Sequence, residues 1–202
     1  MVLRCVLFDL GNVLLFFSHE KMCKQIAEVC QRPFEQVQNV LFDEQLQKRF
    51  ETGKLSEREF HEQLEKRLNV RVNPERLKLA ASEIFELNKP MIPLVKGLKK
   101  RGIRLVLFSN TCVTHYEYAL AKYPLFQQFD DAVLSYKVGA SKPDAPMYEA
   151  ALQAIQCEPH ECLYVDDMEP NVEAGKQFGL RAELFRDAQS FAQQLKQLGV
   201  TL

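Results

Sequence analysis

The chain is poor in the residues that would make it a linker or a disordered protein: 8 Gly and 9 Pro among 202 positions are too few. It also lacks an excess of either charge. Lys and Arg total 26 against 27 Asp and Glu, a formal charge of −1, which argues against a general polyanion binder and leaves no nucleic-acid partner to expect. No Cys-x-x-Cys pair occurs, and Cys5, Cys23, Cys30, Cys112, Cys157 and Cys162 lie scattered. They read as reduced, buried thiols of a cytoplasmic protein, not as a disulfide framework. The histidines His61, His115 and His160 share no zinc-ligand spacing and read as solvent or interface residues. Val2 to Phe17 is largely apolar, but Arg4, Asp9 and Asn12 interrupt it and no cleavage site follows. That stretch is too short and too polar to span a membrane. Internal repeats and low-complexity segments are missing too.

What is present is a buried strand, a long helical stretch, and then alternating helices and strands. Arg4 to Phe8 is a short apolar run ending in Asp9 and Gly11, as a central strand of a parallel sheet reads. Ser18 offers an N-cap, and Met22, Ile26 and Val29 recur at helical spacing. From there to about Lys89 the pattern predicts helices and no strand, with Pro33 in a first turn, Gly53 as a stop and Ser56-x-x-Glu59 as a capping box. Ala80, Ile84 and Leu87 make a further helical face. After Pro90, strands are predicted at Ile103–Phe108, Ala132–Leu134, Cys162–Val165 and Ala182–Phe185, with helices between and after them. This order predicts an α/β fold, a Rossmann-like doubly wound parallel sheet. Residues 1–16 and 90–202 would form the core, and 17–89 an inserted helical cap. The length fits a core with a modest insertion.

Ligands of open α/β sheets bind outside the carboxyl ends of the strands. Three predicted strands end in polar clusters: Asp9 after the first, Ser109-Asn110 after the second, Asp166-Asp167 after the fourth. Lys142-Pro143 follows the third. Asp9 and Asp166 are hard oxygen donors that repel one another on a shared edge, a conflict that Mg²⁺ would remove. A carboxylate can attack phosphorus once the phosphate dianion is neutralised, and Mg²⁺ with Lys142 would do that. The Ser109 hydroxyl and backbone N–H groups would hold the phosphoryl oxygens.

The segments Phe8-Asp9-Leu10-Gly11-Asn12-Val13, Phe108-Ser109-Asn110-Thr111, Ser141-Lys142-Pro143 through Tyr148, and Val165-Asp166-Asp167 through Asn171 resemble the four ordered motifs of the haloacid dehalogenase-like (HAD) hydrolases. The Asp-Leu-Gly-Asn-Val variant, with Glu51-Thr52-Gly53-Lys54, resembles the sugar-phosphatase branch that includes bacterial α-D-glucose-1-phosphatase. The resemblance implies Asp9 as nucleophile and Mg²⁺ ligand, the Gly11 carbonyl and Asp166 as further ligands, and Asp167 and Asn171 as supporting residues. It implies Ser109 and Asn110 as phosphate-binding residues, and Lys142 as a bridge between Asp9 and the phosphoryl group.

One departure matters. Phosphatases of this superfamily usually carry a second Asp two residues after the nucleophile, where this chain has Gly11. That Asp protonates the leaving alcohol and then activates water, help worth about 10²–10⁴ in rate. Without it, leaving groups that need no proton are expected: an anomeric hydroxyl, a phenol or an acyl group. The expectation is a Mg²⁺-dependent phosphatase of a small phosphorylated metabolite, such as glucose 1-phosphate, acting through an aspartyl-phosphate as a monomer or weak homodimer. The alternatives are a catalytically silent relative that binds a phospho-ligand or a protein, and a metal-independent dehalogenase.

Other residues carry paired readings. His19 is a substitute acid or, preferably, an exposed residue in the first turn of a helix. Asp166-Asp167 and Thr111 read also as caps of the helices that follow them. Glu51 to Lys54 shapes substrate access or simply joins two helices. Phe16, Phe17, Phe42, Phe50 and Phe85 pack a core, the preferred reading, or line a pocket.

Overall fold

The computed structural model describes residues 2–42 and 44–201. The first half runs β1 Cys5–Phe8, β2 Leu15–Phe16, α1 His19–Cys30, α2 Phe34–Leu41, α3 Glu44–Glu51, α4 Glu57–Leu68, α5 Pro74–Ser82 and β3 Glu86–Leu87. The second half runs α6 Met91–Lys100, β4 Arg104–Ser109, α7 Val113–Lys122, β5 Asp131–Leu134, α8 Ser135–Val138, α9 Ala145–Ile155, β6 Cys162–Asp166, α10 Glu169–Gln177, β7 Arg181–Leu184 and α11 Ala188–Gln197.

Strands β5-β4-β1-β6-β7 form, in that order, a parallel sheet. The period of two in the strand residues builds its two faces. Val6, Phe8, Leu105, Leu107, Leu163 and Val165 point to one side, among residues of α6 and α11. Cys5, Leu7, Val106, Phe108, Cys162 and Tyr164 point to the other, among residues of α9 and α10. Both faces are covered, so the central strands β4, β1 and β6 read as continuous apolar runs. Each fully buried Leu or Phe here contributes about 2–3 kcal/mol. The cysteines are all free thiols. Among the described residues, no helix is long and apolar enough to cross a membrane.

Helices α1, α2, α4 and α5 have an apolar cluster of their own, built on Cys23, Ile26, Val37, Leu64 and Leu68, while Leu46 and Phe50 of α3 cluster with Leu55 and Cys112. The capping box at Ser56 forms as its residues predict, with Ser56 N donating to Glu59 Oε2 and Glu59 N to Ser56 Oγ. The expectation of no strand before Lys89 needs correction. Leu15 pairs with Leu87 and Phe16 with Glu86 in an antiparallel two-residue ladder. The helix that Ala80, Ile84 and Leu87 suggested stops at Ser82. The pairing is made between residues far apart in the chain, which local periodicity does not register. Asn88 locks the junction, donating through Nδ2 to the Val13 carbonyl and through its backbone N–H to Leu14. The chain therefore enters and leaves the helical layer at adjacent points.

Two contacts fix how that layer meets the sheet unit. The loop after α3 turns at Gly53, whose φ of +66° favours glycine. A Cβ built there would overlap the carbonyl oxygen of Tyr136 in α8. Gly53→Ala is therefore expected to lower unfolding stability by about 2–4 kcal/mol, from left-handed backbone strain and steric overlap together. A urea midpoint equal to wild type would contradict this close approach.

At the other contact, the His115 Nε2 of α7 lies 3.2 Å from the Ala81 carbonyl, which accepts its proton. The Phe85 ring meets the imidazole edge-on at 5.3 Å. Burial pushes the imidazole down to about 4 from its ordinary 6.5, with a small further push from His19. The unfolded chain thus takes up this proton near pH 6.5 and the folded chain only near pH 4, so stability falls as pH drops through that window. Wild type is expected to lose about 2–3 kcal/mol more than His115→Asn between pH 7 and pH 4, measured by denaturation at each pH. Parallel losses would contradict the neutral, enclosed imidazole.

Candidate active site

The strand order reverses at β1, so Asp9 emerges between the ends of β4 and β6, where α/β sheets form their binding crevice. Its backbone N–H is held by the Val165 carbonyl at 3.0 Å. Ser109 ends β4, Asp166 ends β6, and Lys142 comes from the loop between α8 and α9. Asn110 fixes that loop by a reciprocal pair: Lys142 N donates to Asn110 Oδ1 at 2.7 Å, and Asn110 Nδ2 to the Lys142 carbonyl at 3.0 Å.

The Lys142 ammonium has three protons and three acceptors. It donates to Asp9 Oδ1 at 2.7 Å, Asp166 Oδ2 at 2.6 Å and the Phe108 carbonyl at 2.7 Å. Lys142, Asp9 and Asp166 are all buried, with residue exposures of 6%, 8% and 0%. Burial pushes the Asp9 carboxyl up to about 6; Lys142 pulls it down, while Asp166 and Asp167 push it further up. For Asp166 burial also acts upward, but Lys142 and the hydrogen bonds from Lys142, Tyr164 and Met168 N–H outweigh it and hold the group below the usual range. Burial works against the charge of Lys142, yet Asp9 and Asp166 keep its ammonium above its ordinary value.

Asp9, Asp166 and Asp167 each offer a carboxylate oxygen, all within 4.8 Å of one another. Such a set of hard, like-charged donors is what a small divalent cation requires. The Gly11 carbonyl accepts from Val13 N–H at 2.7 Å, which leaves it a second lone pair. Asn171 Nδ2 donates to Asp166 Oδ1 at 3.0 Å, and Tyr148 Oη holds the Asn171 carbonyl at 2.8 Å. Ser109 is buried, its hydroxyl 3.4 Å from the Asn110 carbonyl.

Several supporting residues were not picked out from the sequence. Tyr164 Oη donates to Asp166 Oδ2 at 2.6 Å. Strand alternation places residue 164 on the face of residue 166, which was the available signal. Gly175 admits that ring, since a Cβ there would stand 2.7 Å from Tyr164 Cδ1. Asn12, at a φ of 53°, donates through Nδ2 to Asp167 Oδ2 at 2.9 Å. Ser135 Oγ lies 2.9 Å from both the backbone N and O of Thr111 and 2.7 Å from the Glu51 carbonyl.

The capping readings are corrected: Met168 is the N-cap of α10 and Cys112 that of α7, neither through its side chain. Asp166 instead accepts the Met168 N–H, and the Thr111 N–H is held by Ser135. His19 is an exposed residue in the first turn of α1, its ring between those of Phe17 and Phe42. Phe17, Phe42 and Phe85 pack on the helical cluster, while Phe16 is exposed.

An apolar ring stands against the side-chain position of Gly11. A Cβ built there would stand 2.9 Å from Phe17 Cε1, so a longer side chain needs Phe17 to move.

A family model described as haloacid dehalogenase-like hydrolase matches residues 3–179. D-ribitol-5-phosphate phosphatase of Bacteroides thetaiotaomicron is 27% identical over 88% of this chain and 89% of its own length. Bifunctional epoxide hydrolase 2 of the rat is 27% identical over 58% of the chain, which spans about a quarter (23%) of that protein's length. Among solved structures, a HAD-family enzyme of Bacteroides thetaiotaomicron in complex with magnesium superposes with a TM-score of 0.84. It has 19% sequence identity, covering 97% of this chain and all (100%) of the other.

Proposed function

Since the chain belongs to the haloacid dehalogenase-like hydrolase family, we propose that it is a Mg²⁺-dependent phosphatase of a small phosphorylated metabolite. The observation that carries this reading is the buried Asp9–Lys142–Asp166 arrangement at the reversal of strand order. The similarity to the ribitol-phosphate phosphatase over 88% of this chain and 89% of that protein supports it, as does the magnesium complex of a protein with this fold.

The carboxylates of Asp9, Asp166 and Asp167, with the Gly11 carbonyl, are the residues that would hold Mg²⁺. When bound, the ion supplies positive charge that offsets the repulsion among these carboxylates and the incoming phosphate dianion. An Asp9 oxygen attacks phosphorus; the bond to the leaving oxygen breaks, and that oxygen departs with the electron pair. Lys142 neutralises the phosphoryl group, and Ser109 and Asn110 hold its oxygens. Water then attacks the aspartyl-phosphate, the bond from phosphorus to Asp9 breaks, and the water's proton passes to solvent. Asp167 and Asn171 orient the loop, and residues 17–89 act as a cap over the edge. His19, exposed on α1, is not needed as a proton donor.

With Gly11 where a proton donor would stand, the leaving group must depart unaided. The substrates are therefore phosphates of acidic hydroxyls: anomeric, aryl or acyl, with glucose 1-phosphate among them. The test is a panel with and without Mg²⁺. Turnover of p-nitrophenyl phosphate, acetyl phosphate and glucose 1-phosphate is expected to exceed that of glycerol phosphate and serine phosphate by about 10²-fold or more. Faster cleavage of the alkyl phosphates would overturn the leaving-group reading. Metal-independent release of halide would instead mark a dehalogenase, and no turnover on the panel a silent binding module.

A further inference from the structure

Between the helical layer and the start of α7 lies a cavity of about 220 Å³ that the chemistry above does not use. A dry apolar cavity of about 150 Å³ holds a benzene ring, so this one has room for a bicyclic aromatic group. Ile26, Leu64 and Leu77 supply aliphatic wall, and Phe50 and Phe60 a flat one, stacked at 4.3 Å with 20° between their planes. Apart from His61, the polar residues at its margin are already engaged. Lys78 and Thr114 both pair with Glu57, Gln47 with Glu51, Arg58 with Glu62, and His115 with the Ala81 carbonyl. Of these marginal groups, His61 Nε2 has no hydrogen-bond partner.

The cavity's inner wall continues the phosphate-binding loop. Cys112, Thr114 and His115 line it, and they follow Ser109-Asn110-Thr111 directly. Glu51, also on the wall, shares Ser135 with Thr111 through its carbonyl. The segment that would hold a phosphate at Ser109 and Asn110 therefore runs directly into the wall of this space, on the side of the helical layer.

We propose that this cavity is the subsite for the organic part of the substrate, and that it selects an apolar, aromatic-sized group over a sugar. The inference rests on the phosphatase reading and narrows it. A hexose placed there would bury several hydroxyls with only His61 Nε2 left to pair with one of them, which is unfavourable. An aryl group would bury only apolar surface, against the Phe50–Phe60 stack.

The test fills the cavity from α5 with Ala81→Phe, and more mildly with Ala81→Leu, since Ala81 lines it. Wild type with Mg²⁺ is expected to prefer 1-naphthyl phosphate to glucose 1-phosphate by about tenfold or more in kcat/KM. Ala81→Phe is expected to remove that preference while turnover of acetyl phosphate, too small to reach the cavity, stays within about twofold. Ala81→Leu should show the same loss in smaller measure, and retained acetyl phosphate turnover reports that each variant is folded.

Calorimetry with 1-naphthylmethylphosphonate against methylphosphonate reads the same preference without turnover. Tighter binding of the naphthyl compound to wild type, lost in Ala81→Phe, supports the subsite even if no phosphate on the panel is hydrolysed, in which case only the phosphatase reading fails. Equal binding of the two phosphonates, or a naphthyl preference that survives both substitutions, overturns the subsite.

Discussion

Asp9→Asn is expected to abolish phosphate release, by about 10⁴-fold or more in kcat, while leaving a protein at least as stable as wild type. The loss follows from chemistry: an amide cannot form the acyl phosphate, and removing a nucleophile costs as much as dismantling the whole reacting group. The stability follows from electrostatics. Asp9 is buried and faces Asp166 and Asp167, and burial pushes its carboxyl up to about 6. A carboxyl whose pKa is higher in the fold than in the unfolded chain is harder to ionise in the fold, so its negative form at pH 7 opposes folding. A neutral amide of the same shape removes that opposition. Metal-free Asp9→Asn should therefore melt at or above the wild-type temperature. Retained turnover, or activity lost together with a fall in melting temperature, would show that Asp9 is structural and not the attacking group.

Lys142→Gln is the second large effect, and it falls on stability and activity together. Lys142 joins the two buried carboxylates and satisfies the Phe108 carbonyl. Its removal leaves Asp9 and Asp166 facing each other without a cation, and breaking a buried ion pair from one side costs about 3–5 kcal/mol. Turnover should fall by about 10²–10⁴, as when a group stabilising transition-state charge is lost. The distinguishing feature is the response to Mg²⁺. Because the cation would bind the folded carboxylates and not the unfolded chain, it should restore part of the lost stability, more in Lys142→Gln than in wild type. Chemical denaturation with and without Mg²⁺ reads this directly. A variant as stable as wild type without metal, or one indifferent to Mg²⁺, would contradict a shared cation site.

The parallel sheet was legible in the sequence because its central strands β4, β1 and β6 are apolar runs buried on both faces and closed by a polar residue. Val6 and Phe8 face one layer of helices and Cys5 and Leu7 the other, so β1 needed no alternation to be recognised. The gathering of Asp9, Ser109, Lys142 and Asp166 at one edge was likewise legible, since carboxyl ends of parallel strands share a side. What escaped is held by contacts across the chain. The two-residue ladder of Leu15–Phe16 with Glu86–Leu87 is stabilised by pairing alone, and such short strands carry no period. Gly53 read as a helix stop, but its close approach to Tyr136 depends on α8. Ser135 carries no local signal either, since its hydrogen bonds reach Thr111 and Glu51 from other parts of the chain. Phe17 over Gly11 is of the same kind: the sequence showed that a proton donor was missing, and the fold shows that an aromatic ring closes over its place.

The most direct measurement is to trap the covalent species. Wild-type protein with Mg²⁺ is mixed with radiolabelled p-nitrophenyl phosphate, quenched in acid within milliseconds and digested. Label that is released by hydroxylamine and carried on the peptide containing Asp9 is the expected result, with none in Asp9→Asn. Because Gly11 supplies no base to activate water, the aspartyl-phosphate should accumulate, and a burst of p-nitrophenol should accompany the label. Turnover without label, or label on any other residue, would contradict Asp9 as the nucleophile and the mechanism built on it.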